Sequence, residues 1–277
     1  MPTLPATTFS QPALFRFHYA PRGREAGATV VFPFDHPAPR DAIGAIQSIE
    51  QLPTSSPIPP EQGVEILFIP TSHRDDASAK ELTHIWLAAA HSSAETVTVR
   101  SGELQVLWKP ARAVIIAPAL QALPAIESLV DFSHYEAVLR QIETAIAAGW
   151  AAAEAAAPLA YAITRLDSEN DREVGRRMQA VLQSRMQLSR IEPHVLRPAQ
   201  HLPPAARVLG ESLREATLCE ERLETADGQI ETQEYVYELA SQRLGEHRHA
   251  RKGFMLETII IILLAAEVLL MIGEIFW

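Results

Sequence analysis

The residues that could carry chemistry are scattered along this sequence, and few stand at the spacings that a reaction or a metal requires. His247 and His249 form a His-x-His pair, but a zinc site needs three or four ligands and no third stands near them. His84 and His91 would meet only if two neighbouring strands carried them. The motifs of phosphate-binding loops, metalloproteases and serine hydrolases are missing from the sequence. We therefore expect no enzymatic activity, no cofactor and no metal.

Three carboxylates interrupt an otherwise apolar segment at residues 254–277, FMLETIIIILLAAEVLLMIGEIFW. As a helix this segment is roughly 36 Å long, which is enough to cross a bilayer core. Glu257 and Glu274 lie near its ends, where they can reach the headgroups. Glu267 lies inside, where a charge costs several kcal/mol unless it is paired, neutralised or turned toward protein. Ile260, Glu267 and Glu274 fall on one stripe, which predicts packing against partner helices.

This apolar segment has two interpretations, a membrane-spanning helix or a buried helix of a soluble oligomer. Isoleucine and leucine surround all faces of the helix rather than one, which favours the membrane. The predicted residues for membrane anchoring and helix contact are Leu256, Glu257, Ile260, Leu264, Glu267, Met271 and Glu274.

Basic residues precede the apolar segment and none follows it. Arg248, Arg251 and Lys252 are the predicted orientation charges. The positive-inside rule then leaves the N-terminal bulk on the cytoplasmic side, or on the matrix-equivalent side of an organelle. The first residues lack the basic and apolar regions of a secretory signal. The expected topology is a single-pass, tail-anchored membrane protein.

Length and charge limit the partners. The 277 residues suffice for one large or two modest domains. A net charge of −10 and the lack of a basic-aromatic patch argue against nucleic acid. Cys219 is the single cysteine, so an internal disulfide framework is excluded.

Two halves of the sequence differ in periodicity. Residues 1–110 contain β-branched and aromatic runs that predict strands at Ala13–Tyr19, Thr29–Phe34, Val64–Ile69 and Ile85–Ala90, and a hairpin around Ser101-Gly102. Ile43, Ile46 and Ile49 stand near helical spacing, which predicts a helix over 39–50. A proline-rich loop is expected at 52–63.

The second half reads as helical from Val114 onward. Helices are predicted over 129–148, from a cap at Asp167-Ser168 to 190, and over 205–223, with a proline-rich connection at 192–204. A last helix begins near Gln229 and continues into the apolar segment, which indicates a coiled or bundled stalk.

The expected fold class is therefore α+β, with a small strand-rich N-terminal domain, a helical domain and a long C-terminal helix that ends in a transmembrane segment. The predicted divisions are a strand-rich domain at 1–110, a helical domain at 111–228, a stalk helix at 229–253 and a transmembrane helix at 254–277.

The segment Met255–Val268 (MLETIIIILLAAEV) resembles the terminal signature of the DUF155 family, whose members end in a Leu-Glu pair, an isoleucine-rich run and Glu-Val. Looser similarity extends to Ser133–Glu136 (SHYE), Val30–Phe34 and 239–251. The family usually has an acidic and a tryptophan residue before the penultimate helix, whereas residues 196–203 read LRPAQHLP. The resemblance implies no known enzymatic activity and, from the family's mitochondrial members, anchoring at an inner membrane.

These observations together predict a non-enzymatic membrane scaffold or tether that self-associates and holds an unidentified protein partner at the lipid surface. The alternative is an accessory or regulatory subunit of a larger membrane enzyme complex, in which the tail packs among that enzyme's helices. A third class, an enzyme with an unrecognised site in the strand-rich domain, stays open.

Overall fold

A seven-stranded sheet precedes a series of helices, which confirms the predicted α+β class. The computed structural model describes residues 9–23, 30–47, 58–90, 94–161 and 171–276. The strands are β1 (Ala13–Pro21), β2 (Val30–Phe34), β3 (Arg40–Gln47), β4 (Gly63–Pro70), β5 (Val97–Ser101), β6 (Leu104–Lys109) and β7 (Arg112–Ala117). The helices are α1 (Ala77–Ala88), α2 (Ala119–Ala156), α3 (Asp171–Leu196), α4 (Pro204–Ala216) and α5 (Cys219–Phe276).

The strand order across the sheet is β2-β3-β1-β4-β7-β6-β5. All neighbouring pairs are antiparallel except β4 and β7, which run parallel and are connected through α1 and the β5–β6 hairpin. The hairpin turns at Gly102, whose φ of 61° lies in the left-handed region that glycine adopts without strain. Strands β2 and β5 are the two edges of the sheet.

Helix α1 covers one face of the central strands. Trp86 and Leu87 of α1 are buried against a cluster of apolar side chains from the sheet, Leu14, Leu67, Ile69, Val114 and Ile116. The Trp86 indole also donates a hydrogen bond of 3.1 Å to the Ala113 carbonyl. Alternate residues of β4 and β7 point to opposite faces of the sheet. One face packs against α1 and the other faces α2, so both strands are buried along their whole length.

The opposite face of the sheet carries aromatic side chains and packs on α2. Trp108 of β6 meets Phe132 of α2 edge-on, with ring centroids 5.0 Å apart. Its indole nitrogen donates to the Ser133 hydroxyl at 3.1 Å. Toward β1, a chain of phenylalanine contacts links Phe15, Phe17 and Phe32. This face is the larger part of the apolar core around the sheet.

The second half differs from the prediction at its start and at its helix boundaries. It was expected to be helical from Val114 onward, but residues 112–117 form strand β7, which pairs with β4 and β6, and α2 begins at Ala119 rather than at 129. Helix α3 continues to Leu196 with Pro193 inside it, so the predicted connection at 192–204 shortens to residues 197–203. The predicted helix over 205–223 is interrupted at Thr217 and Leu218, where Leu218 has a φ of 54°. Helix α5 consequently begins at Cys219, ten residues before the predicted start.

Two secondary-structure predictions in the first half were wrong. Residues 40–47 form strand β3 rather than a helix, because β1 and β2 pair with it on both sides. The predicted strand at 85–90 lies mostly in α1, which ends at Ala88. His84 therefore lies on a helix rather than on a strand, and His91 lies outside the described residues. Most of the predicted loop at 52–63 and the cap at Asp167-Ser168 also lie outside them.

The chain separates into two compact units. Unit 1 comprises Met1–Thr144 and Met186–Asp227, and unit 2 comprises Ala145–Arg185 and Gly228–Trp277. Unit 1 therefore contains the sheet, α1 and α4, whereas unit 2 contains the C-terminal part of α5. The four-part domain division stays a prediction, since compact packing units need not coincide with independently folding domains.

Candidate functional site

The predicted anchor and orientation residues all lie on α5, in unit 2. Leu256, Ile260, Leu264 and Met271 are each more than half exposed, and Glu257 and Glu267 are exposed as well. The orientation charges Arg248, Arg251 and Lys252 are exposed in the preceding turns. The Glu274 side chain lies outside the described part of the chain. The structure therefore places these residues along one helix and packs none of the described ones into a core.

Helix α5 is packed only as far as Leu244. Ile230, Gln233, Tyr237, Ala240 and Leu244 are buried at alternating spacings of three and four residues, which is the pattern of a helix packed along one seam. Gln233 donates a hydrogen bond of 3.0 Å to the Ile146 carbonyl. Beyond residue 247, every described side chain through Val268 is exposed. Internal packing thus ends just before the basic segment.

The exposed segment is apolar on all sides. Ile259, Ile260, Ile261, Ile262, Leu263 and Leu264 are consecutive, and each is between 44 and 64% exposed. Six consecutive residues cover more than one and a half helical turns, so no polar face exists at this height of the helix. An isolated helix in water does not keep such a surface uncovered, because burying each large apolar side chain is worth about 1.5–3 kcal/mol.

Within the portion of the chain that the structure describes, no helix has the combined length and apolarity needed to cross a membrane. The transmembrane ending inferred from the sequence therefore stays a prediction.

A buried polar cluster in unit 1 contains Ser133–Glu136, a segment that the sequence indicated only through its family resemblance and not as a cluster. The four consecutive residues Ser133–Glu136 of α2 each have a separate internal partner. The His134 ring stacks on Phe34 with centroids 4.1 Å apart, and Tyr135 stacks on His194 at 4.7 Å. The Ser133 hydroxyl accepts the Trp108 hydrogen bond described above.

Glu136 is the charged member of this cluster, and it forms an ion pair with Arg222. Arg222 of α5 donates to Glu136 at 3.2 Å and binds both oxygens of Glu143, at 2.8 and 2.7 Å. Burial alone would lower the pKa of Arg222, but the hydrogen bond with Glu143 and the charge of Glu136 raise it on balance. The segment SHYE therefore connects α2 to β2, β6, α3 and the first turns of α5.

Burial controls the protonation of this cluster. It lowers the pKa of His134 to about 4, so the ring is neutral at neutral pH. It also lowers the pKa of His194 and raises that of Tyr135. Asp131, one turn before Tyr135, accepts a hydrogen bond of 2.8 Å from Arg214, yet burial still raises the pKa of its carboxyl. These groups stabilise the fold as neutral or paired species.

A pocket of about 410 Å³ lies beside this cluster, between β2, α2 and the α3–α4 connection. Its charged groups are compensated internally: His201 pairs with Glu127 at 2.6 Å, and Arg214 pairs with Asp131. In the described ranges, no group of three or more histidine, cysteine, aspartate or glutamate side chains could hold a metal ion.

No protein-family model matches the chain, and no curated protein matches it either. The resemblance to the DUF155 family consequently stays an expectation based on the C-terminal signature.

Proposed function

We propose that the chain is a non-enzymatic, tail-anchored membrane scaffold of the DUF155 type. The segment of α5 from Phe254 onward enters the lipid, and the remainder holds a protein partner at the membrane surface. The observation that carries this proposal is the exposure of large apolar side chains on every side of α5, directly after its packing seam ends at Leu244. A soluble partner docked on one side would leave the other sides in water, whereas lipid covers all of them.

The orientation follows from the charges that flank this segment. Arg248, Arg251 and Lys252 are exposed on the turns before Phe254, and basic residues are retained on the cytoplasmic side of a membrane. The bulk of the chain therefore lies on the cytoplasmic or matrix-equivalent side. Protease added to that side of sealed vesicles is expected to digest residues 1–250 and to leave the lipid-embedded segment. Digestion that requires detergent would reverse the orientation.

Self-association is the second part of the proposal. Glu267 lies inside the apolar segment and is exposed within its own chain. A carboxylate facing lipid is costly, and contact with a neighbouring helix lowers that cost. An identical chain supplies such a helix, which makes a homo-oligomer the simplest arrangement. In the alternative function, as an accessory subunit of a membrane enzyme, the helix that faces Glu267 belongs to that enzyme.

Vesicle flotation tests the membrane assignment. The full chain is mixed with phosphatidylcholine vesicles, and the variant Ile261→Arg/Leu264→Arg is compared with it. Each arginine near the middle of an inserted helix costs about 2.5–3.5 kcal/mol, so the variant is expected to remain at the bottom of the gradient. Leu120→Arg is the matched control, because Leu120 is 89% exposed in unit 1. Equal flotation of the double variant and the full chain would contradict the proposal.

A further inference from the structure

Strands β4 and β7 are neighbours and run parallel, so their carboxyl ends lie side by side at the same end of the sheet. There Ile69 and Ile116 are register partners, Ile116 also pairs with Gln105 of β6, and Gln105 pairs with Arg100 of β5. Register partners point to the same face of a sheet. The four side chains therefore form a row that is apolar at Ile69 and becomes cationic at Arg100. In open sheets, ligands bind outside the carboxyl ends of parallel strands.

Helix α1 covers only the apolar end of this row. Its residues Ala79, Trp86 and Leu87 pack on the apolar cluster that includes Ile69 and Ile116. Beside α1, the sheet surface forms the floor of a pocket of about 340 Å³. Its wall is apolar at Ile69, Leu107 and Ile116 and mostly polar or charged elsewhere.

Three cations from three different elements converge on this pocket. Arg74 follows β4, Lys80 is in the first turns of α1, and Arg100 is on the edge strand β5. Asp75 is the single acid among the lining residues, and its ion pair with Lys80, at 3.5 Å, is largely solvent-exposed. Exposed pairs of this kind contribute about 0–1 kcal/mol and yield readily to a stronger partner.

The two arginines have no acidic partner in the described part of the chain. Arg74 instead donates a hydrogen bond of 3.2 Å to the side-chain oxygen of Gln105, whose side chain is mostly buried. This contact orients the Arg74 guanidinium at the pocket and leaves its remaining N–H groups for a ligand. A pocket with an excess of two positive charges contrasts with a chain whose net charge is −10.

We propose that this pocket binds the phosphate group of a small phosphorylated molecule. Arg74 and Arg100 supply planar forks of N–H donors that match phosphate oxygens, and Lys80 adds a compact charge. Three cations suit a dianion, whereas one arginine suffices for a single carboxylate. Ile69, Leu107 and Ile116 provide an apolar wall for the organic part of the ligand.

Calorimetric titration of the full chain with inorganic pyrophosphate tests this site. Arg74→Gln and Arg100→Gln are each expected to raise the dissociation constant about tenfold or more, since a hydrogen bond to a charged group is worth about 1.5–3 kcal/mol. The control is Arg197→Gln, an exposed arginine of unit 1 away from the pocket. Binding by the control is expected to equal that of the unmodified chain. Equal binding by all three variants would overturn the assignment.

A second arm of the experiment separates a free phosphate from a lipid headgroup. Because the full chain is expected to float with plain phosphatidylcholine vesicles, this arm uses the Ile261→Arg/Leu264→Arg variant, and flotation is measured with phosphatidylcholine vesicles that contain or lack phosphatidylinositol phosphate. A gain that depends on the phosphorylated lipid and is lost in Arg74→Gln and Arg100→Gln would assign the bound phosphate to a lipid. Pyrophosphate binding without that gain would assign it to a soluble ligand. The absence of both effects would overturn the proposal.

Discussion

Glu65 and Arg112 form an ion pair beneath α1, with Nε of Arg112 3.0 Å from Oε2 of Glu65. Neither side chain is more than 1% exposed. Arg16 donates to the other carboxylate oxygen at 2.7 Å, so one carboxylate lies between arginines of β1 and β7. The three residues are register partners across the sheet. Arg112 also lies over the Trp86 ring, 4.1 Å from its centroid. These three charged residues therefore lie next to the apolar cluster that contains Trp86.

Removing the Glu65 charge is expected to destabilise unit 1 strongly. In Glu65→Gln the buried guanidinium of Arg112 loses the carboxylate that pairs with it, and breaking a buried pair in this way costs about 3–5 kcal/mol. The measurement is urea unfolding of the full chain followed by tryptophan fluorescence. Glu173→Gln is the control, because Glu173 pairs with Arg177 at the surface, and its loss is expected to cost at most about 1 kcal/mol. Equal effects of the two substitutions would refute the role given to Glu65.

The buried His134 predicts a loss of stability in mild acid. Its folded-state pKa of about 4 is below the ordinary value of 6.5, so the unfolded chain binds a proton more readily. The stabilisation is complete above about pH 6.5 and is lost as the pH falls toward 4, to a total of roughly 3 kcal/mol. The groups around the ring are Tyr19, Phe34, Arg40, Tyr135 and His194, and the His36 carbonyl lies 3.4 Å from the ring nitrogen Nε2.

Unfolding free energies measured at several pH values between 7 and 4 test this expectation. His134→Phe preserves a ring against Phe34 and removes the titrating group, so its stability is expected to depend less steeply on pH. His84→Gln, a substitution at an exposed position of α1, is expected to retain the slope of the unmodified chain. A slope unchanged in His134→Phe would show that other groups cause the acid sensitivity.

Close packing between Gly149 of α2 and Gln233 of α5 is expected to stabilise unit 2. A Cβ atom there would lie 2.9 Å from Oε1 of Gln233, whose amide is bound to the Ile146 carbonyl. Gly149→Val therefore displaces a buried amide and overfills the contact, which costs about 1–3 kcal/mol. Gly175→Val is the matched control within unit 2, since nothing lies within 4 Å of its Cβ position. Thermal unfolding of both variants measures the difference; a shift of equal size would contradict the packing argument.

Glu267 is expected to organise the oligomer of the proposed scaffold. Glu267→Leu removes a polar group from the apolar segment, so insertion is retained or improved while helix association weakens. Hydrogen bonds between membrane helices are worth on the order of 1 kcal/mol, so a partial loss of the oligomer is anticipated. Particle mass in mild detergent is the measurement. A single native chain per micelle would refute self-association, and an unchanged oligomer in the variant would show that Glu267 does not organise it.

The sequence predicted β1, β2, β4 and the β5–β6 hairpin correctly, because β-branched and aromatic residues are concentrated there. It failed at β3, since Ile43 and Ile46 stand three residues apart and imitate a helical stripe. The pairing of β3 with β1 and β2 overrides this spacing. Gly44 also belongs in this crowded sheet, because a Cβ there would lie 2.5 Å from the Phe17 ring. The failure at 85–90 has another cause: a short apolar run such as IWLAAA fits a strand or a helix equally well.

The C-terminal segment was visible in the sequence because its signal is local. The cluster around Ser133–Glu136 and the cationic pocket were not, because their members come from distant parts of the chain. His134 meets Phe34 of β2, and Tyr135 meets His194 of α3. Arg100 and Arg74 approach one pocket only through the register of β5, β6 and β7. The tertiary fold brings these residues together, and no local spacing in the sequence records it.

The central claim is that lipid surrounds the apolar segment of α5 on every side. Single cysteines are introduced at Phe254, at each position from 259 to 264 and at Val268, in a Cys219→Ala background. Each is spin-labelled, and the chain is placed in phosphatidylcholine vesicles. Collision of the label with oxygen, which partitions into lipid, is compared with collision with a water-soluble nickel complex. The account predicts that oxygen dominates at all positions from 259 to 264. Nickel access that recurs every three to four residues, or dominates throughout, would contradict it.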